Sequence, residues 1–223
     1  GAAAVPAVAQ LPEPRIPPGY VPEISKDERG LWMEMKEYEA DLVKSPLLVR
    51  DTALNEYVAG IACRVAGAYC RDVRVYVVRN AGFNASMAPT GMMEVWTGVL
   101  TRIQSDDDLA VILGHETAHY TRAHTLERFR RIRSSMMTGA LASLGFGLAT
   151  GVLVPIGESA AMLSVMAYSR TQEEEADLLG AKMVANADLD PHASYRLWQR
   201  LIEEEEHAVD KSESSVFMRS HPE

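Results

Sequence analysis

The sequence predicts a mostly helical α+β domain with a small β-sheet. Five segments carry apolar residues at helical spacing beside capping signals, whereas only two short runs, at 73–80 and 91–98, have the β-branched density of buried strands. The 223 residues are 47% hydrophobic and 24% charged, which suits one ordinary core. No internal repeat is present. A net charge of −9 argues against a nucleic-acid partner, because such proteins concentrate Lys and Arg on one face.

Residues 1–22 hold six of the eleven prolines and few large apolar groups, so they bury too little surface to offset chain entropy. Residues 1–24 are therefore read as a flexible leader and 25–223 as the domain. The leader has no initiating Met and no basic run before an apolar core, and its Ala/Pro composition fits a linker that follows an export or lipoprotein signal. The first helix starts at Ser25, an N-cap with Glu28 in capping-box position, and Leu31, Met35, Tyr38 and Leu42 mark its apolar face. The second covers 51–66. Cys63 and Cys70 would lie about 10 Å apart on one helix, too far to bond. They can pair only if the helix ends between them, at Gly67; a short disulfide and two buried thiols both stay open.

The segment 105–133 has Ser105 and Asp108 in capping-box spacing, acids in its first turn and arginines in its last, and reads as one long helix. Another helix is expected from about Glu158 through 187, and a last one from Pro191 to about Asp210. Between Arg133 and Glu158 lie 24 uncharged residues, long enough to span a bilayer but diluted by five glycines and a proline. They are read as a Gly/Ala-rich helical hairpin.

The helix at 105–133 carries "GHETAH" at 114–119. Residues four apart on a helix differ by about 40° in azimuth, so His115 and His119 present both imidazoles on one face, as two ligands of a tetrahedral zinc ion would. Glu116 sits beside the first ligand, where its carboxylate can act as a general base on water. A third ligand is needed. The pattern that closes such a site with a glycine three residues and a histidine six residues later is broken by Arg122 and Thr125. His124 lies about 140° around a continuous helix and is read as a solvated surface residue. The alternative is a later glutamate: in "RTQEEEADLLG", Glu173 and Asp177 share a helix face, so Glu173 can bind zinc while Asp177 accepts a hydrogen bond from a ligand imidazole.

Three segments then resemble the gluzincin metallopeptidases of family M48, which include HtpX, CAAX prenyl endopeptidases and periplasmic quality-control proteases. They are "ILGHETAHYTRAH" (112–124), "YSRTQEEEADLLG" (168–180) and "NASMAPTGMMEVWTGVL" (84–100), in the family's order. The resemblance implies a zincin-like fold in which His115, His119 and Glu173 hold one Zn2+ per chain. By it Glu116 is the general base and Asp177 supports a ligand. Asn84 to Val95 would form the turn and edge strand lining the cleft, with Asn84, Ala85, Ser86 and Met87 touching substrate. Ser86 stands where the family usually has Phe, and Thr90 where it has the first Gly of a pair.

The implied function is zinc-dependent endoproteolysis of unfolded or misassembled proteins, bound in extended conformation, in a bacterial periplasm or cell envelope. The rival reading is a zinc-stabilised, chaperone-like module that holds extended clients on the edge strand without cutting them. One membrane crossing between His119 and Glu173 would part the ligands across the bilayer, so a single span is incompatible with the site, while a membrane-touching hairpin is compatible. His221, in "FMRSHPE", is a candidate for approaching the zinc as a latch or for stabilising an oxyanion. The chain ends two residues later, which allows for a domain truncated at that end.

Overall fold

Helix α1 (Glu28–Lys44) buries Leu31, Trp32 and Leu42, while Tyr38, expected on the same face, is 47% exposed. The expected cap Ser25 lies outside the residues that the structure, a computed structural model, describes: 12–23, 28–128, 130, 131, 134 and 168–207. Helix α2 (Thr52–Ala66) is capped by the Asp51 carboxylate, which accepts the Leu54 N–H at 2.8 Å. Gly67 ends it at φ 56°, a left-handed conformation that costs glycine little, and its N–H returns to the Cys63 carbonyl. The turn brings Cys70 back to Cys63, with Cα atoms 4.4 Å apart, and the two form a disulfide.

Strands β1 (Arg74–Val78), β2 (Ala85–Met87) and β3 (Met92–Trp96) make a sheet in the order β1-β3-β2. β1 runs parallel to β3, and β2 pairs antiparallel to it, with Ser86 opposite Glu94. The edge strand expected within 84–95 is thus only the three-residue β2; the longer, more hydrophobic β3 is central. The Asn84 carbonyl accepts from Trp96 and the Ala88 N–H donates to Met92, so alternate residues 84, 86 and 88 face β3. Ala85 and Met87 therefore turn their N–H and C=O groups outward, along the free edge.

After the single turn of α3 (Thr97–Leu100) comes α4 (Asp106–Thr121), whose residues 108–121 are all buried. Its cap is Ser105, which accepts the Asp108 N–H at 3.2 Å. The long helix expected over 105–133 is interrupted: Ala123 takes φ 61° and the chain becomes helical again at 124–128. Helix α5 (Arg170–Asn186) begins at a Ser169–Gln172 capping box rather than near Glu158; 135–167, and with them most of the uncharged stretch, fall outside the described residues. Helix α6 (Ala193–His207) starts just past Pro191, and its expected end at Asp210 also falls outside them. Among the described residues no helix is long and apolar enough to cross a membrane.

α4 and α5 cross at glycines. A Cβ on Gly180 would lie 2.9 Å from the His115 nitrogen and 3.0 Å from the Gly114 carbonyl carbon, so the backbones meet with no side chain between them. That contact carries the α5 carboxylates to α4. Residues 12–23, part of the expected leader, pack on the other end of α4. The Arg15 and Ile16 N–H groups donate to the Thr121 carbonyl, which has no helical partner of its own, and Ile16 is 7% exposed within the core. The Tyr69 hydroxyl holds the Ile16 carbonyl at 2.7 Å.

Candidate metal centre

α4 presents His115 and His119 one turn apart, and α5 brings Glu173 against both. The two Nε2 atoms are 3.0 Å apart, and Glu173 places one oxygen 3.3 Å from His115 Nε2 and the other 3.6 Å from His119 Nε2. A tetrahedral ion with ~2.0–2.1 Å bonds spaces its donors by about 3.3 Å, so these three side chains fit one zinc ion. All three side chains are buried. Among the described residues they are the one group of three or more His, Cys, Asp or Glu side chains so arranged.

The charge balance points the same way. Burial disfavours a charged His115, but hydrogen bonds to Asp177 and Glu173 and the field of Glu116 outweigh it and push its pKa up to about 10. The carboxylates of Glu116, Glu173 and Asp177 gathered round the two imidazoles make an electronegative cluster, the surroundings that favour a cation. Glu116, 1% exposed, follows His115 on α4 without belonging to the three-donor group.

The remaining imidazole nitrogens are also engaged. His115 Nδ1 lies 2.9 Å from Asp177 Oδ1, the contact expected from the spacing of Glu173 and Asp177. His119 Nδ1 lies 2.9 Å from His124 Nδ1. His124 is thus not a solvated surface residue but fully buried. The expectation assumed a continuous helix; the left-handed Ala123 swings the next residue back toward His119. No glycine or asparagine marks that turn, so the sequence carries no signal for it. His124 Nε2 reaches Glu175 at 3.1 Å, and Arg122 binds the same carboxylate oxygen through Nε at 2.8 Å and Nη2 at 2.5 Å. Burial pushes the His124 imidazole below its ordinary pKa, against the pull of Glu175. Burial would raise Glu175, but Arg122 and His124 outweigh it and hold it below the usual carboxylate range.

Tyr168 opens the segment that leads into α5. Its ring stacks on His119, with centroids 3.9 Å apart and planes 20° from parallel. Its hydroxyl meets the Thr125 hydroxyl at 3.0 Å, and Thr125 contacts the Met87 carbonyl at 3.4 Å. The free edge of β2 therefore borders the centre. Of the four candidate substrate contacts, Ser86 is exposed, Asn84 half-buried, and Ala85 and Met87 are buried, their outward backbone groups being what they can offer. His221 lies outside the described residues.

The family model for peptidase family M48 matches residues 49–223. Mitochondrial metalloendopeptidase OMA1 of Schizosaccharomyces pombe is 32% identical over 157 residues, covering 66% of this chain and 42% of its own length. The metalloendopeptidase OMA1 of Bos taurus is 28% identical over 192 residues, 80% of this chain and 35% of its own length. A beta-barrel assembly-enhancing protease of Yersinia pestis is 24% identical over 196 residues, 83% of this chain and 40% of its own length. The chain spans about two fifths of the length of these curated relatives.

Proposed function

The chain belongs to peptidase family M48 and is a metalloprotease with a zincin-like fold, and on that premise we propose that it is a zinc endopeptidase acting on unfolded or misassembled proteins. The observation that carries the metal assignment is the convergence of His115, His119 and Glu173 within tetrahedral spacing. Two imidazoles and a carboxylate are a donor set that zinc uses in catalytic sites.

When bound, zinc supplies Lewis acidity, drawing electron density from a carbonyl oxygen and lowering the pKa of water. Glu116 takes the proton as water's oxygen bonds to the scissile carbon. The same carboxyl then delivers it to the leaving nitrogen as the C–N bond breaks. β2 offers the outward N–H and C=O groups of Ala85 and the N–H of Met87, whose carbonyl already meets Thr125, to an extended polypeptide, which is held by main-chain bonds with little demand on its sequence. That mode suits chains that have lost or not reached their fold.

The Cys63–Cys70 disulfide supports an oxidising compartment, for which we propose the bacterial periplasm or cell envelope. Metal analysis of the purified chain, paired with digestion of unfolded casein, tests the reading. One equivalent of zinc and chelator-sensitive casein cleavage are expected; zinc binding with no cleavage, together with protection of clients from aggregation, would favour the holding module instead.

A further inference from the structure

His124 is fully buried, and both of its ring nitrogens are engaged, one by His119 and one by Glu175. The chain adopts a left-handed conformation at Ala123 to place it there, a conformation unfavourable for any residue but glycine. A buried residue that only filled space would need neither the polar ring nor the turn. We propose that His124 is a positioning residue for the metal centre, and that Arg122, Glu175 and His124 together fix the tautomer in which His119 can bind metal. This rests on the reading of His115, His119 and Glu173 as ligands.

Arg122 has only N–H donors, and two of them reach one oxygen of Glu175, so that carboxylate is ionised and can only accept. His124 Nε2, 3.1 Å from the same oxygen, must then carry a proton and donate it. In a neutral imidazole the other nitrogen is an acceptor, so His124 Nδ1 accepts from His119 Nδ1 across 2.9 Å. His119 is left with its proton on Nδ1 and a bare lone pair on Nε2. That lone pair faces His115 Nε2 and Glu173.

The first ligand is oriented differently. His115 Nδ1 is held by Asp177, whose side chain is 64% exposed, whereas the His119 partner is buried and backed by an ion pair 10% and 25% exposed. The second arrangement also reaches the chain's start, because Arg122 Nη1 donates to the Glu13 carbonyl at 2.6 Å. An ordered segment before α1 thus helps hold the guanidinium whose partner sets the His124 proton.

The test uses the purified chain with Zn2+ as the probe, its affinity read by competition with a chromophoric chelator. His124→Leu is expected to weaken Zn2+ by about 10–100-fold, the usual range for a group that orients a ligand. His124→Asn, whose Oδ1 sits where the Nδ1 acceptor was, should recover most of that loss. A cavity or packing defect would not be repaired that way, since Asn fills less of the site than Leu. His119→Ala should abolish stoichiometric binding. If His119→Ala binds Zn2+ like wild type, the ligand reading itself is wrong and the proposal goes with it. If His119→Ala loses Zn2+ while His124→Leu keeps wild-type affinity, only the positioning role is overturned. Should His124→Leu fail to fold, 15N imidazole spectra of the zinc-loaded wild type decide: His124 protonated on Nε2 alone supports the proposal, and His124 protonated on Nδ1 overturns it.

Discussion

Glu173 and Asp177 approach the same imidazole from one face of α5, yet their exposures differ widely, at 9% and 64% of the side chain. The buried carboxylate touches both histidines, and the exposed one touches only the far nitrogen of His115. Glu173→Ala should therefore abolish stoichiometric zinc, read by metal analysis after dialysis. Asp177→Ala should fall at the lower end of the ~10–100-fold range for groups that orient a ligand, because water can replace an exposed acceptor. Glu174 is exposed, and Glu174→Ala should leave zinc content unchanged. Loss of metal in Glu174→Ala with retention in Glu173→Ala would place the ligand at the wrong position on α5.

The geometry of the centre depends on how closely α4 and α5 approach. A methyl group at Gly180 would meet the backbone of His115 and Gly114, neither of which can yield as a flexible side chain could. Gly180→Ala should cost ~1–3 kcal/mol in urea denaturation and weaken zinc as well, by moving Glu173 away from the histidines. Gly60, exposed within α2, has open space where a Cβ would go, so Gly60→Ala should stabilise by ~0.5–1 kcal/mol and leave zinc affinity alone. At the other side of the sheet, Arg74 binds Glu39 through Nε at 2.6 Å and Nη2 at 2.7 Å, tying β1 to α1, and the Tyr76 hydroxyl joins at 2.7 Å. Arg74 holds the Glu39 carboxyl below its usual range. A depressed pKa contributes stability that is present above the unfolded value, about 4.3, and is lost as pH falls through the folded one. Glu39→Gln should thus be less stable than wild type at pH 7, by about 1 kcal/mol after discounting for the 41% exposure of Arg74, with the gap narrowing as pH falls below the unfolded value.

Across the molecule, the start of α4 and the strands β1 and β3 were legible from local periods, and the pairs His115/His119 and Glu173/Asp177 from spacing along one helix each; that the two pairs meet was implied only by the resemblance to family M48. β2 was not, because three residues are too few to show alternation, and it is defined by its pairing with β3. His124 was misread because its position depends on one backbone torsion at an alanine, and Tyr168 had no legible role because stacking across elements leaves no trace in a linear pattern. Ile16 shows the same limit: one apolar residue in a proline-rich stretch reads as leader until the core that receives it is seen. The Cys63–Cys70 link closes a short loop, so replacing both cysteines by serine should cost ~2–3 kcal/mol in thermal or urea unfolding. This fold is read as serving a base beside a metal. The most direct test of that reading is the rate of casein cleavage by zinc-loaded wild type and Glu116→Gln at equal zinc content. The variant should keep its metal and lose at least ~10²-fold in rate. Equal rates at equal zinc content would contradict that reading.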